Sequence, residues 1–192
     1  MKTVLFPSVA RKYFVELDNE ITQSISDLYT KFKFEQPRPF TLYNKSVESL
    51  LSLYSDVLQE FLEEVKPDGS ATITNVRLVV LGSGDQLDRD CSLPGHYSAV
   101  HYVKYDETRH QADLYYHPSY DLLNCLRPDL KSDEMDPVSG VWVKEGDLVI
   151  YPSYLHTSSP KNQSNEERIT LMFTFVVTEN DSRESGSEES PE

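Results

Sequence analysis

Between Arg168 and Val177 the chain alternates without a break. Ile169, Leu171, Phe173, Phe175 and Val177 fall on one side of an extended strand, and Arg168, Thr170, Met172 and Thr174 fall on the other. Successive strand side chains point to opposite faces, so this segment demands a packed core on one face and leaves the other free for polar chemistry. The residues before it complete a unit. Asp147 to Tyr151 reads as a short buried strand, Pro152 opens a turn, and His156 stands in an exposed loop. A guanidinium and a hydroxyl two residues apart on one face suit a carboxylate, because arginine's planar fork matches its two oxygens. From composition alone, Arg168 could equally pair with Glu166 or Glu167 on the sheet surface.

The rest of the chain supplies helices first and short strands afterwards. Val4 to Pro7 reads as an edge strand ended by proline. Apolar residues at three- and four-residue steps predict helices over about 17–33 and 46–65, closed by Gln36-Pro37-Arg38-Pro39 and Lys66-Pro67-Asp68-Gly69. Thr72 to Leu81 is β-rich and stops at Gly82-Ser83-Gly84-Asp85, and a polar stretch with Asp88, Asp90 and Cys91 leads to Pro94-Gly95. His96 to Asp106 alternates again, with Ser98, Val100 and Tyr102 on one face and Ala99, His101 and Val103 on the other. Further strands are expected near Ala112 to Tyr116 and at Val141-Trp142-Val143, separated by a loop rich in Asp, Pro and Ser from Arg127 to Gly140. This order predicts an α+β chain with a jelly-roll-like barrel. One domain spans residues 1–178, and the acidic segment 179–192 is expected to be disordered.

Composition excludes several classes. The chain has 192 residues and a formal charge of -14, so nucleic acid and anionic membranes are disfavoured as partners by repulsion. No apolar run approaches the roughly 20 residues of a membrane span, and no segment reads as a signal peptide, so a cytoplasmic protein is expected. Cys91 and Cys125 have neither zinc-type nor redox spacing. There is no Gly-x-Ser-x-Gly elbow, phosphate-cradling loop or dinucleotide fingerprint.

Tyr151-Pro152-Ser153-Tyr154, His156, Pro160, Asn162 and Glu167-Arg168-Ile169-Thr170 together resemble the C-terminal half of the iron(II)/2-oxoglutarate-dependent dioxygenases. The nearest branch is that of phage and marine-bacterial oxygenases related to prolyl 4-hydroxylases. The resemblance runs from Ile73 to Val177 and is strongest over Gly146 to Phe175. It implies a double-stranded β-helix, a cupin-like barrel braced by the two N-terminal helices. It also implies iron(II) and 2-oxoglutarate as cofactor and co-substrate, with hydroxylation of a C–H bond in a small-molecule or protein substrate. By resemblance His156 is a metal ligand, Arg168 and Thr170 hold the distal carboxylate of 2-oxoglutarate, and Tyr102 hydrogen-bonds it.

The first half of that site departs from the family pattern. The family's His-x-Asp, or His-x-His, falls without gaps on Asp90 and Ser92, so Asp90 is the expected second ligand and a histidine is missing. Three accounts stay open. Asp90, with Asp88, donates oxygen while His96 or His101 supplies an imidazole; or the chain keeps the barrel and anion pocket without oxygen chemistry; or it shares only a jelly-roll framework, as a binding or virion-associated module. His96 and His101, five apart, cannot both face inward on a regular strand. His110 is expected to be exposed in a charged turn, and His117 to mark a strand end.

Overall fold

The computed structural model describes residues 10–16, 23, 25, 27, 30, 40–42, 53–91, 94–116 and 138–179. Among the described residues ten strands make two antiparallel sheets. One sheet has six strands in the order β1 (Arg11–Phe14), β8 (Asp147–Pro152), β5 (Tyr97–Lys104), β10 (Arg168–Glu179), β3 (Gly69–Leu81), β2 (Phe40–Leu42). The other has four, in the order β4 (Leu87–Cys91), β9 (His156–Ser159), β6 (Leu114–Tyr116), β7 (Val138–Gly140). One helix, α1 (Ser55–Val65), lies on the larger sheet.

The alternation of β10 sets the layering. Ile169, Leu171, Phe173, Phe175 and Val177 join a core with Tyr54, Leu58, Phe61 and Leu62 of the α1 region. The ring of Phe61 meets Tyr97 edge-on at 4.8 Å and Phe175 at 5.6 Å. The apolar face of β10 is thus covered by the helix. Its other face looks between the sheets, where Val79, Val100, Tyr102, Tyr115, Val149, Tyr151 and Met172 form a second core. β5 divides in the same way, sending Ala99 and Val103 to the helix side and Val100 and Tyr102 to the interior.

The strands expected at 72–81, 96–106, 112–116, 147–151 and 168–177 are all present, with ends shifted by a few residues. Three local expectations are corrected. Leu87–Cys91 and His156–Ser159, read as polar stretch and loop, are strands held by cross-strand pairing rather than by their own propensity. Val141–Val143 is not in a ladder; the paired segment is Val138–Gly140. Of the predicted 46–65 helix, Ser55–Val65 is seen, and Gln23, Ile25, Asp27 and Thr30 of the 17–33 helix are helical. The Val4–Pro7 strand, most of the Arg127–Gly140 loop and residues 180–192 of the expected tail lie outside the described residues.

Gly146 makes the turn into β8 with φ +85°, a region side chains rarely adopt. Its amide donates to the Tyr102 carbonyl, its carbonyl accepts from Val15, and a Cβ there would sit 2.6 Å from the Phe14 ring. The turn therefore ties β1, β5 and β8 at one point.

His101 faces the helix side, fully buried, with the Tyr54 hydroxyl 2.8 Å from Nδ1. Burial lowers the His101 pKa to about 4 and raises that of Tyr54, so a neutral phenol and a neutral imidazole share this hydrogen bond. The unfolded chain takes up this proton near pH 6.5, and the folded protein refuses it until about pH 4. The contribution of His101 to stability is therefore expected to fall by roughly 3 kcal/mol as pH drops through that window, and to level off below it. Urea unfolding at a series of pH values checks this: His101→Asn, which keeps a hydrogen-bonding group beside Tyr54 without a titrating one, should lack that part of the slope.

Candidate functional site

Arg168 lies at the start of β10 on the face between the sheets, 2% exposed, and a charge so deeply buried needs a partner. The partner is Asp113, 3% exposed, just before β6. Arg168 Nη2 donates to Asp113 Oδ1 at 2.5 Å, and Nη1 donates to the Gln111 carbonyl at 3.0 Å. Ser159 Oγ of β9 donates to the same Oδ1 at 2.5 Å, and the Tyr102 hydroxyl of β5 donates to Oδ2 at 2.9 Å. The guanidinium also lies over the Tyr102 and Tyr105 rings, 5.4 and 5.8 Å from their centroids. Burial, the largest single influence, would lower the Arg168 pKa, but the Asp113 carboxylate together with the Tyr102 and Tyr105 phenols raises it on balance, so the arginine stays charged. Burial, with Asp113 second, pushes the Tyr102 pKa well up, so its phenol remains a donor. Thr170, also buried, sits two residues along on the same face, paired in register with Tyr102.

The turn that delivers Asp113 is braced. His110 Nδ1 accepts from the Asp106 amide at 3.0 Å, Tyr105 donates to the His110 carbonyl at 3.1 Å, and Arg109 pairs with Glu166 and Asp106. These bonds bury His110, which overturns its expected exposure. Glu166, a suggested partner of Arg168, is thus engaged elsewhere. Asn162 fixes the loop ahead of β10: its side chain donates to the Leu81 and Glu166 carbonyls, both at 2.8 Å, and accepts from the Ser164 amide at 2.9 Å.

The residues expected to bind metal are arranged differently from the sequence reading. In β9, Thr157 and Ser159 are buried while His156 and Ser158 are half-buried. Ser159 reaches Asp113 and Thr157 is in register with the core residue Tyr115, so that buried face looks into the interior. His156 lies on the opposite face, in register with Tyr116 and Cys91. Asp90 is opposite Thr157. The interior position across from Asp90 therefore carries a threonine.

Among the described residues the other histidines do not fill the gap. His101 is on the helix side, and His96 Nδ1 accepts from the Val177 amide at 3.0 Å. Asp88 is exposed and accepts from Gln86. Ser92 and His117 lie outside the described residues. Among the described residues no group of three His, Cys, Asp or Glu side chains could hold a metal ion. Among the described residues the donors do not fit an iron held by two imidazoles and a carboxylate, and the cation that would receive a co-substrate carboxylate is already neutralised from within. Further along β10 the interior opens into a small pocket lined by Asn75, Arg77, Ser98, Tyr151, Met172 and Thr174.

Sequence reasoning singled out Arg168, Thr170 and Tyr102, which the structure brings to one interior face, but missed Asp113, Thr157 and Ser159. Reading residues 156–159 as a strand would have put Thr157 and Ser159 together, and period two from Tyr115 would have placed Asp113 beside them.

A family model described as "Putative 2OG-Fe(II) oxygenase" matches residues 78–174. Among solved structures, a Pseudomonas putida prolyl-4-hydroxylase is similar with TM-score 0.56 at 11% identity, over 88% of this chain and 92% of that one. HygX from Streptomyces hygroscopicus, with nickel and 2-oxoglutarate bound, gives 0.57 at 10% identity over 88% and 82%. The viral collagen prolyl hydroxylase of Paramecium Bursaria Chlorella virus-1, in its 2OG complex, gives 0.51 at 12% identity over 86% and 94%. At such identities the likeness is one of fold, two antiparallel sheets in the manner of a double-stranded β-helix. No curated protein matches the chain.

Removing one partner of a buried ion pair strands the other charge, so Arg168→Ala should cost about 3–5 kcal/mol in urea unfolding. Arg109→Ala, which breaks exposed pairs, should cost less than about 1 kcal/mol in the same assay.

Proposed function

The chain belongs to the 2OG-Fe(II) oxygenase family, and from that premise we propose that it uses the family's barrel as a binding module, without iron-dependent hydroxylation. The observation that carries this reading is the register of β9. It pairs Asp90 with Thr157, whose side chain is buried on the interior face, and sends His156 to the other. An aspartate and a threonine offer hard oxygen donors, whereas iron(II) in such sites is held by a mixed imidazole and carboxylate set, so affinity for iron falls. The ligand site in this reading is the interior pocket beside Asn75, Arg77, Ser98 and Thr174, where Arg77 favours an anionic group on a small molecule or protein segment. The net charge of -14 argues against nucleic acid and anionic membrane surfaces as that partner. Among the described residues no helix is long and apolar enough to cross a membrane.

A hydroxylase is the second reading, favoured by Arg168, Tyr102 and Thr170 sharing the interior face and by the fold of the prolyl hydroxylases. It needs His156 and Asp90 as metal ligands, with Asp113 moved aside for 2-oxoglutarate. The motif at residues 151–170 is also what supports a place in the phage and marine-bacterial branch.

Anaerobic titration of metal-stripped protein with iron(II), then 2-oxoglutarate, separates the two. The folded protein is expected to show no visible charge-transfer band, and Thr157→His, which puts an imidazole opposite Asp90, is expected to bind iron(II) more tightly than the parent. A band in the parent protein that disappears in His156→Ala would overturn the binding-module reading in favour of the hydroxylase.

A further inference from the structure

Asp113 does for Arg168 what a bound carboxylate would do. A guanidinium from β10, a phenol from β5 and a hydroxyl from β9 converge on its two oxygens. All three groups act as donors toward the carboxylate, and Arg168, Tyr102, Ser159 and Asp113 are all buried. This is the donor set of a carboxylate receptor, with the ligand supplied by the chain itself. The fit is also incomplete in an informative way. Asp113 engages the guanidinium through Nη2 alone, and Arg168 Nε, buried as well, has no hydrogen-bond partner among the described residues. One donor of the fork is left over, as expected where a short tethered side chain stands in for a freely oriented carboxylate.

The geometry points to Asp113 as a built-in ligand: the Arg168–Tyr102–Ser159 clamp is a receptor for a small carboxylate that Asp113 occupies and holds shut against free carboxylates, 2-oxoglutarate included. A free carboxylate must displace a tethered one, which competes at high effective concentration without a second association cost. The clamp is therefore closed in the resting protein whether or not iron binds elsewhere in the barrel.

The test is carboxylate rescue, followed by thermal unfolding at fixed ionic strength with sodium chloride, acetate or 2-oxoglutarate. The parent protein should respond to neither carboxylate differently from chloride. Asp113→Ala should unfold at a lower temperature, and acetate or 2-oxoglutarate at about ten times its Kd should raise its midpoint by roughly 4 °C over chloride. Equal stabilisation of parent and variant by 2-oxoglutarate would overturn the proposal, as would a folded Asp113→Ala that treats carboxylates like chloride.

If Asp113→Ala does not fold in chloride, the double variant Asp113→Ala/Arg168→Met decides. Recovery of folding with no response to carboxylates supports the proposal; a double variant that stays unfolded, or that responds to acetate, overturns it. Iron(II) titration of the parent is read separately. A parent that binds iron(II) while ignoring 2-oxoglutarate would sink the binding-module reading and leave the occupied clamp standing.

Discussion

Arg168 is a full positive charge between two sheets, and the architecture around it follows from the need to neutralise it. Desolvating a guanidinium costs several kcal/mol even after relaxation, so the charge persists only with a carboxylate in contact and further acceptors for its other hydrogens. Asp113 supplies the first and the Gln111 carbonyl part of the second. Because Arg168 and Tyr102 belong to the six-stranded sheet and Ser159 to the four-stranded one, the cluster also stitches the sheets together. At this end of the barrel the spacing between sheets is set by hydrogen bonds of fixed length rather than by apolar side chains that could repack.

Elsewhere the protein keeps its two environments apart. The helix-side core is almost wholly apolar and aromatic, with His101 and Tyr54 as a neutral hydrogen-bonded pair inside it. The inter-sheet core mixes tyrosines and aliphatics with the buried ion pair. This division explains why the apolar face of β10 is answered by α1 while its polar face lines the interior. A barrel that held a ligand would need that arrangement, and the chain has preserved it around a clamp that it fills itself.

How far the sequence could be read depended on where each residue's partners lie. β3, β5, β8 and β10 were legible because their alternation or apolar character is local and strong. β4 and β9 were not, since their residues are polar and become strands only by pairing with each other and with β6. That omission decided the site. With 156–159 taken as a loop, His156 was free to point inward; as a strand, a step of one residue moves it to the other face and installs Thr157. The partner of Arg168 was sought among its neighbours Glu166 and Glu167, whereas Asp113 is 55 residues away in sequence. Pairings of that range leave no periodic trace.

β10 lies between β5 and β3, so the middle of the larger sheet is filled by the last strand of the described chain. Its partners are already far behind when it emerges from the ribosome: Val177 pairs with Ala71 and Phe173 with Val76. Until Arg168–Glu179 arrives, β3 and β5 each present a bare edge with apolar residues on both faces, the kind of surface that pairs with other chains. Closing the sheet means closing a long loop first, which places folding with the slower, high-contact-order topologies. The protein is thus most exposed to aggregation in the interval before β10 is in place, and the insertion of one strand ends it.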